Sequence, residues 1–164
     1  MTANRRTITL ERTWQARVDD VWALWTTKQG IESWWGPEGF TVTVRRLHFR
    51  PGGELLYAMT ATGAEQVQFM KQVGMPLTTE AKITYQDVVP KKRIAYTTLV
   101  DFVADTKPYD VRTLVEFEVI GDCVKMLLTF DPMHSDEWTQ RAVMGHESQL
   151  RKLDELMRAK GGLK

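Results

Sequence analysis

The sequence predicts an α+β fold in which a curved antiparallel sheet of about six or seven strands wraps one long C-terminal helix. Three observations lead to this prediction. Consecutive segments between residues 41 and 130 alternate apolar and polar side chains and are separated by short turns. Helical periodicity is concentrated near the two ends of the chain, and its last stretch is long enough to cover one face of a sheet. Segregated strands and helices of this kind define the α+β class.

The N-terminal part predicts one strand followed by two short helices. Residues 7–15 alternate weakly and form the strand. In "VWALWTT" and the residues before it, Val18, Val21, Trp22 and Trp25 are spaced as one face of a helix. Thr27 is placed to cap a second helix that runs through residue 33 and ends before Gly36-Pro37.

The middle of the chain predicts the remaining strands. The segments 41–49 and 54–60 flank "RPGG", in which Pro51 and Gly52 suit the central positions of a turn with positive φ at the glycine. Residues 64–77 form a longer excursion with a helical turn around "AEQVQFMKQ". Further strands are predicted at 78–88, 93–102 and 110–120, and Gly121-Asp122 turns the chain into the last strand, Cys123–Phe130.

The C-terminal part predicts a helix from residue 136 to about residue 160, with Ser135 as its N-cap and Gly161-Gly162 as its stop signal. A helical wheel puts Glu147, Arg151 and Asp154 on one side, facing water. The opposite arc faces the sheet and consists of Trp138, Ala142, Gly145, His146, Gln149, Leu153 and Leu156.

Composition narrows the classes of function. The length of 164 residues predicts a single domain over 1–164. The formal net charge of +1, from 22 basic and 21 acidic side chains, argues against nucleic-acid binding. The single cysteine fits a reducing compartment, and we expect a cytoplasmic protein. No signal peptide is visible, and no apolar run approaches the roughly 18 residues of a membrane span.

Five segments of the chain resemble one superfamily. "VWALWTT", "SWWGPEGF", "RPGGELLYAM", "VVPKKRIAY" and "GHESQLRKLDEL" are similar to segments of the SRPBCC (START-like, helix-grip) superfamily, in the branch named for the activator of heat shock protein 90 ATPase homologues. The resemblance runs from about residue 7 to residue 157 and implies the helix-grip fold. His48, Gly145-His146 and the length of the 64–77 segment depart from the pattern. Because this fold carries many activities, the resemblance does not specify one.

Familiar catalytic and metal-binding motifs are missing from the sequence. It contains no HExxH, CxxC, GxSxG or phosphate-binding glycine loop. In "GHES", His146 and Ser148 diverge by about 200° on a helix and cannot pair. The three histidines have no ligand spacing, so we expect neither a metal site nor a cofactor.

His146 is the candidate polar and catalytic residue, with Gln149 beside it on the inward arc. An unpaired buried polar group costs about 1–3 kcal/mol, so both side chains need partners. In one interpretation they line a cavity between helix and sheet and meet a ligand. In the other, they bond to a tyrosine or a backbone carbonyl and are part of the core.

The candidate ligand-binding residues are otherwise apolar or aromatic, and for each of these a core role is the alternative. Of the two adjacent tryptophans, Trp34 is expected in the core. Trp35 is expected either in the core or at the mouth of the cavity. Phe69 and Met70, in the long excursion, are candidates for a lid. The full set comprises Trp35, Tyr57, Met59, Phe69, Met70, Tyr85, Tyr96, Phe117, Trp138, His146 and Gln149.

Three functions follow. The first is a protein that binds a small apolar or amphipathic molecule in an internal cavity. The second is a cyclase, dehydratase or hydrolase that uses His146 as acid and base in the same cavity. The third is a chaperone cofactor, as the resembling branch is named. A homodimer is compatible with each. An open cavity favours the first two over the third.

Overall fold

The computed structural model describes residues 6–101 and 103–159 and confirms the predicted fold class. Seven strands and four helices follow in the order β1, α1, α2, β2, β3, α3, β4, β5, β6, β7, α4. The strands are β1 Ile8–Gln15, β2 Phe40–Leu47, β3 Glu54–Ala61, β4 Thr78–Val89, β5 Arg93–Val100, β6 Tyr109–Ile120 and β7 Cys123–Phe130. The helices are α1 Val18–Thr26, α2 Lys28–Trp34, α3 Ala64–Gln72 and α4 Asp136–Ala159.

The strands form one open antiparallel sheet in the order β1-β7-β6-β5-β4-β3-β2. Every neighbouring pair is antiparallel, and β2 to β7 pair in sequence order. The strand β1 pairs with β7 at the far edge, from Ile8 opposite Phe130 to Gln15 opposite Cys123. The helices α1 and α2 therefore connect the two edges of the sheet.

The helix α4 packs on the inner face of the sheet. Leu150, Leu153 and Met157 are fully or almost fully buried in the main core, together with inward residues of the strands. Its N-cap is Ser135, whose Oγ accepts a hydrogen bond of 3.2 Å from the Trp138 N–H. The predicted stop at Gly161-Gly162 lies outside the described residues, as does Phe102.

The side of α4 that was expected to face water is instead bonded to the strand β1 and to the loop before β2. Asp154 accepts hydrogen bonds from Trp14 Nε1 at 2.8 Å and from Arg12 Nε at 3.1 Å. Arg12 also contacts Glu147 at 2.7 Å, and Arg151 pairs with Glu38. The expectation is confirmed for Arg151, which is exposed, and is wrong for Asp154, which is partly buried against β1.

Local predictions at turns and caps are confirmed. Gly52 has φ +82°, as the turn after Pro51 requires. Thr27 Oγ1 accepts from the Gly30 N–H at 3.0 Å and caps α2. The stretch "AEQVQFMKQ" forms α3 in full. Within the described residues, no helix combines the length and apolarity needed to span a membrane.

Candidate functional site

An open cavity of about 360 Å³ lies between the concave face of the sheet and α4. Its wall is mainly apolar and aromatic, with a few polar groups that converge on the interior, as in small-molecule sites. The lining residues are Trp35, Tyr57, Met59, Ile83, Tyr96, Thr98, Val100, Val111, Thr113, Phe130, Met133, Trp138, Arg141, Ala142, Gly145, His146 and Gln149.

A wider groove of about 720 Å³ lies beside the β4–β5 turn, away from this cavity. Its wall includes Lys92, Arg93, Glu116, Glu118 and Lys125, which carry charges of both signs. The smaller cavity is the better candidate site because it lies between the helix and the sheet and its wall is more apolar than that of the groove.

The two adjacent tryptophans separate because α2 ends between them. Trp34 is its last residue, and Trp35 has extended backbone angles, φ −66° and ψ 147°. Trp34 is fully buried, and its Nε1 donates to the Leu24 carbonyl at 2.7 Å. Trp35, at 6% exposure, turns its ring toward the cavity and meets the rings of Tyr57 and Tyr96 at 6.2 and 6.3 Å. One ring therefore builds the core and the other builds the cavity wall.

The loop after Trp35 is fastened to α4. The Gly36 N–H donates to Gln149 Oε1 at 3.1 Å. Lys152 Nζ donates to the carbonyls of Gly36 at 3.1 Å and Phe40 at 3.3 Å. Burial lowers the pKa of Lys152, and the charge of Glu38 opposes that shift. These bonds hold Trp35 and Gln149 at one end of the cavity.

His146 presents an unpaired imidazole to the cavity. Its ring lies 4.4 Å from the ring of Phe130, tilted by 39°. No described residue hydrogen-bonds to its ring nitrogens. Although the ring is accessible from the cavity, it is surrounded by protein, and burial lowers its pKa to about 4 while the Glu147 charge opposes the shift. His146 is therefore neutral at pH 7 and offers one donor and one acceptor.

The cavity tyrosines are also neutral. Burial raises the pKa of Tyr57, and the side chain of Trp35 partly offsets this effect through a hydrogen bond. Burial likewise raises the pKa of Tyr96, with the Thr113 side chain as an opposing hydrogen-bond partner. Both phenols can bond a ligand but cannot carry charge near neutral pH.

The structure brings seven of the eleven predicted ligand-binding residues together in the cavity wall. These are Trp35, Tyr57, Met59, Tyr96, Trp138, His146 and Gln149. Tyr85 and Phe117 lie instead in the filled half of the concave face. Tyr85 packs edge-on against Phe49 at 4.9 Å, and Phe117 packs against Trp22 and Trp25. The helices α1 and α2 cover that half, and Phe117 lines the wider groove beside the β4–β5 turn instead of this cavity.

Phe69 and Met70 do not reach the cavity. Both lie on α3, which packs against β3. Phe69 is 55% exposed, whereas Met70 is buried at 6%. The excursion forms a regular helix whose buried side faces the protein beneath it, so these side chains do not lie over the cavity.

Sequence reasoning missed several lining residues. Thr113 lies opposite Tyr96 in the register of β5 and β6 and opposite Phe130 in that of β6 and β7. Knowing the register would have placed Thr113 and Phe130 on the inner face together with Tyr96. Arg141 was missed because it is charged, although it lies three residues after Trp138 on the same helix.

No metal centre is formed by the residues at 6–101 and 103–159, where no three His, Cys, Asp or Glu side chains cluster in a suitable arrangement. Among the described lining residues, Arg141 carries a charge, His146 supplies an imidazole, and none is a carboxylate. The polar side chains of the cavity are therefore suited to hydrogen bonding with a ligand.

A seven-stranded antiparallel sheet that holds one long C-terminal helix, with a cavity between them, defines a helix-grip protein of the SRPBCC superfamily. The chain belongs to the family described as Activator of Hsp90 ATPase homolog 1-like protein, whose model matches residues 15–158. A search of curated proteins found no match.

Solved structures share this fold at low sequence identity. A protein of the same family from Silicibacter pomeroyi is 19% identical, with a TM-score of 0.74 over 94% of this chain and 99% of that one. A protein from Staphylococcus epidermidis is 20% identical, with a TM-score of 0.72 over 97% and 93%. One from Chromobacterium violaceum is also 20% identical, with a TM-score of 0.70 over 92% and 96%. These likenesses support the fold and carry no information about the ligand.

Proposed function

We propose that the protein binds a small, mostly apolar molecule in the cavity between the sheet and α4, with a polar group of that molecule against His146. The single observation that carries this proposal is the His146 imidazole, which lines an apolar cavity and has no hydrogen-bond partner among the described residues. A ligand atom that bonds to the ring would satisfy a polar group that the protein leaves open.

The energetics favour a mostly apolar ligand that places one polar group against His146. The Phe130 ring packs on the imidazole, but ring packing satisfies neither nitrogen. Because the ring nitrogens face an open cavity and, unlike Trp25 Nε1, are not sealed from solvent, a ligand hydrogen bond replaces one to water and contributes about 0.5–1.5 kcal/mol. The apolar remainder of the ligand gains about 25 cal/mol for each Å² of apolar surface that it buries.

The protonation state of His146 argues for binding over acid–base catalysis. An effective general acid or base has a pKa near the working pH. The pKa of His146 is lowered to about 4, so the ring is neither protonated nor strongly basic at pH 7. None of the described lining residues is a carboxylate that could raise the pKa of His146 further, beyond the opposing charge of Glu147. The cyclase, dehydratase or hydrolase alternative therefore has weaker support.

The chaperone-cofactor alternative takes its support from the family's description. An open cavity of about 360 Å³ favours a small-molecule role over one in which the interior is filled. Homodimer formation and a cytoplasmic location stay predictions.

The proposal is tested with N-phenyl-1-naphthylamine, a neutral fluorescent probe whose secondary amine can donate to His146. We expect saturable binding with a rise in fluorescence. Thr98→Phe places a ring in the cavity wall and should weaken binding by at least about tenfold through steric exclusion. His146→Leu should weaken it by about fivefold, the value of one neutral hydrogen bond.

Thr43→Phe is the matched control because Thr43 is an exposed strand residue away from the cavity. It should bind the probe as the parent protein does. Absence of saturable binding, or equal binding by the Thr98→Phe and Thr43→Phe variants, would overturn the proposal.

A further inference from the structure

Arg141 is the one charged side chain among the described residues that line the cavity. Its side chain is 57% exposed, so the guanidinium lies at the mouth and not in the interior. Arg141 precedes His146 by five residues on α4, which separates the two by about 7.5 Å along the helix axis. The cavity therefore has a cationic outer end and a neutral, hydrogen-bonding inner end.

The position of the Arg141 guanidinium is fixed by two neighbours on the same helix. Its Nη2 donates to Glu137 Oε2 at 3.0 Å, and its Cζ lies 5.0 Å from the centre of the Trp138 ring. Trp138 itself lines the cavity. The cation–π contact and the ion pair restrict the motion of the guanidinium, which reduces the entropy lost when it binds an anion.

The remaining donors of Arg141 are open. Nε and Nη1 make no hydrogen bond to any described residue, and an arginine offers five N–H donors in a fixed fork. Glu137, 72% exposed, occupies one of them. A carboxylate at the mouth could bond to the others at the same time as Glu137, although the two negative charges would repel each other.

The described residues that line the cavity include no carboxylate, so Arg141 is the only charge in the wall itself, although Glu137 pairs with it from the exposed side. The interior offers only neutral polar groups, including His146, Tyr57 and Gln149. A negative charge is therefore accommodated at Arg141 and excluded by desolvation from the interior. An exposed ion pair between Arg141 and Glu137 could form anywhere on a helix surface. The position of Arg141 beside Trp138 in the cavity wall therefore points to a role at the cavity.

We propose that the ligand is an amphipathic carboxylic acid: besides the polar group that meets His146 inside the cavity, it carries a carboxylate that bonds to Arg141 at the mouth, with its apolar body filling the space between. This inference rests on the proposed function and names the ligand class. It adds a specificity-determining residue to the site.

The test compares 1-naphthaleneacetate with 1-naphthaleneacetamide, which have the same shape and differ in charge. Each displaces N-phenyl-1-naphthylamine from the protein, and the ratio of their affinities is measured at low ionic strength. We expect the acid to bind about fivefold more tightly than the amide, since exposed charge pairs contribute modestly. Added salt should reduce that ratio.

Three variants are expected to change the ratio of acid to amide affinity in different ways. Arg141→Gln should bring the ratio to about one, and Glu137→Gln should raise it because a competing negative charge is removed. Arg45→Gln is the matched control: Arg45 is an exposed arginine near Glu80, far from the cavity lining, and its replacement should leave the ratio unchanged.

The outcomes separate this inference from the proposed function. If the neutral probe and the amide bind but the acid is not preferred, the carboxylic-acid inference is overturned and the cavity function stands. A preference that persists in the Arg141→Gln variant also overturns it. If the neutral probe does not bind, the proposed function fails and this inference fails with it.

Discussion

The side-chain oxygen of Gln149 accepts a hydrogen bond of 3.1 Å from the backbone N–H of Gly36. This bond joins the long helix to the loop that follows the double tryptophan. Gly36 has φ +86°, a conformation in which only glycine is unstrained. Because Gln149 also lines the cavity, one side chain both anchors the loop and shapes the site.

Replacement of Gln149 by Leu should destabilise the protein. The Gly36 N–H would lose its acceptor, and an unpaired, partly buried donor costs about 1–3 kcal/mol. We expect the free energy of unfolding in urea to fall by about that amount. Gln149→Glu is the control because it retains an acceptor, and Lys152 lies nearby on the same helix. Equal stability of the Leu and Glu variants would show that the bond contributes little.

Local signals in the sequence were sufficient to predict the elements. Ser135 and Thr27 cap helices as expected, and Gly52 adopts the expected positive φ. Such features depend on a few neighbouring residues, which the sequence displays directly. The separation of Trp34 from Trp35 was also predictable, because Gly36-Pro37 ends the helix.

The extent of the cavity was not predictable in the same way. Tyr85 and Tyr96 lie opposite each other on neighbouring strands and have the same inward periodicity. Only Tyr96 lines the cavity, since α1 and α2 fill the space over the other part of the concave face. That difference depends on how elements distant in sequence pack together. The spacing of apolar residues along a strand does not predict which part of the concave face is filled.

Glu38 should give the protein a small pH-dependent stability. Hydrogen bonds from Arg151, and then from Ser148, lower the pKa of Glu38 below its ordinary 4.5. A carboxylate with a lowered pKa in the folded state stabilises above its ordinary pKa and loses that effect as pH falls. Because Glu38 and Arg151 are half exposed, we expect Glu38→Gln to cost at most about 1 kcal/mol at pH 7.

The check on Glu38 is urea unfolding at pH 7 and at pH 3. The difference between parent and Glu38→Gln should shrink at pH 3, where a larger fraction of Glu38 is protonated than at pH 7. Glu155→Gln, an exposed residue on the same helix, serves as control. A Glu38→Gln difference that is the same at both pH values would refute the assignment.

Two buried tryptophans should respond differently to the same substitution. Trp34 Nε1 donates to the Leu24 carbonyl, whereas Trp25 Nε1 is buried without a partner among the described residues. Replacement by Phe removes similar ring area from each. Trp34→Phe also removes a hydrogen bond, but Trp25→Phe removes an unsatisfied donor. We expect Trp34→Phe to reduce the free energy of unfolding by about 1–2 kcal/mol more than Trp25→Phe does. Equal losses, or a larger loss for Trp25→Phe, would contradict this account.

The neutral state of His146 should make the protein sensitive to acid. Its pKa is about 4 in the folded protein, below the ordinary 6.5, chiefly because of burial. Between these values the unfolded chain binds a proton that the folded chain does not, so stability falls as pH falls. Relative to His146→Leu, the parent protein should lose about 2–3 kcal/mol between pH 6.5 and pH 4.

Urea titrations across that range measure the His146 effect. The His146→Leu variant should lack this part of the pH dependence and, at pH 7, should be as stable as the parent or more stable, because no protein partner is left unpaired. His48→Gln, which replaces an exposed histidine, is the control and should retain the pH dependence that His146 causes. A His146→Leu variant that is less stable at pH 7 would mean that the imidazole has a structural partner.

The same glycine-to-alanine change should have opposite effects at Gly52 and Gly145. A Cβ added at either position meets no atom within 4 Å, so steric overlap contributes at neither. Gly52 has φ +82°, which strains an alanine, and Gly52→Ala should destabilise by about 1 kcal/mol. Gly145 lies within α4, where alanine is favoured over glycine by about 0.8–1.0 kcal/mol, so Gly145→Ala should stabilise. Urea unfolding of the two variants side by side measures both effects. If both midpoints shift in the same direction, backbone conformation is not what distinguishes these two glycines.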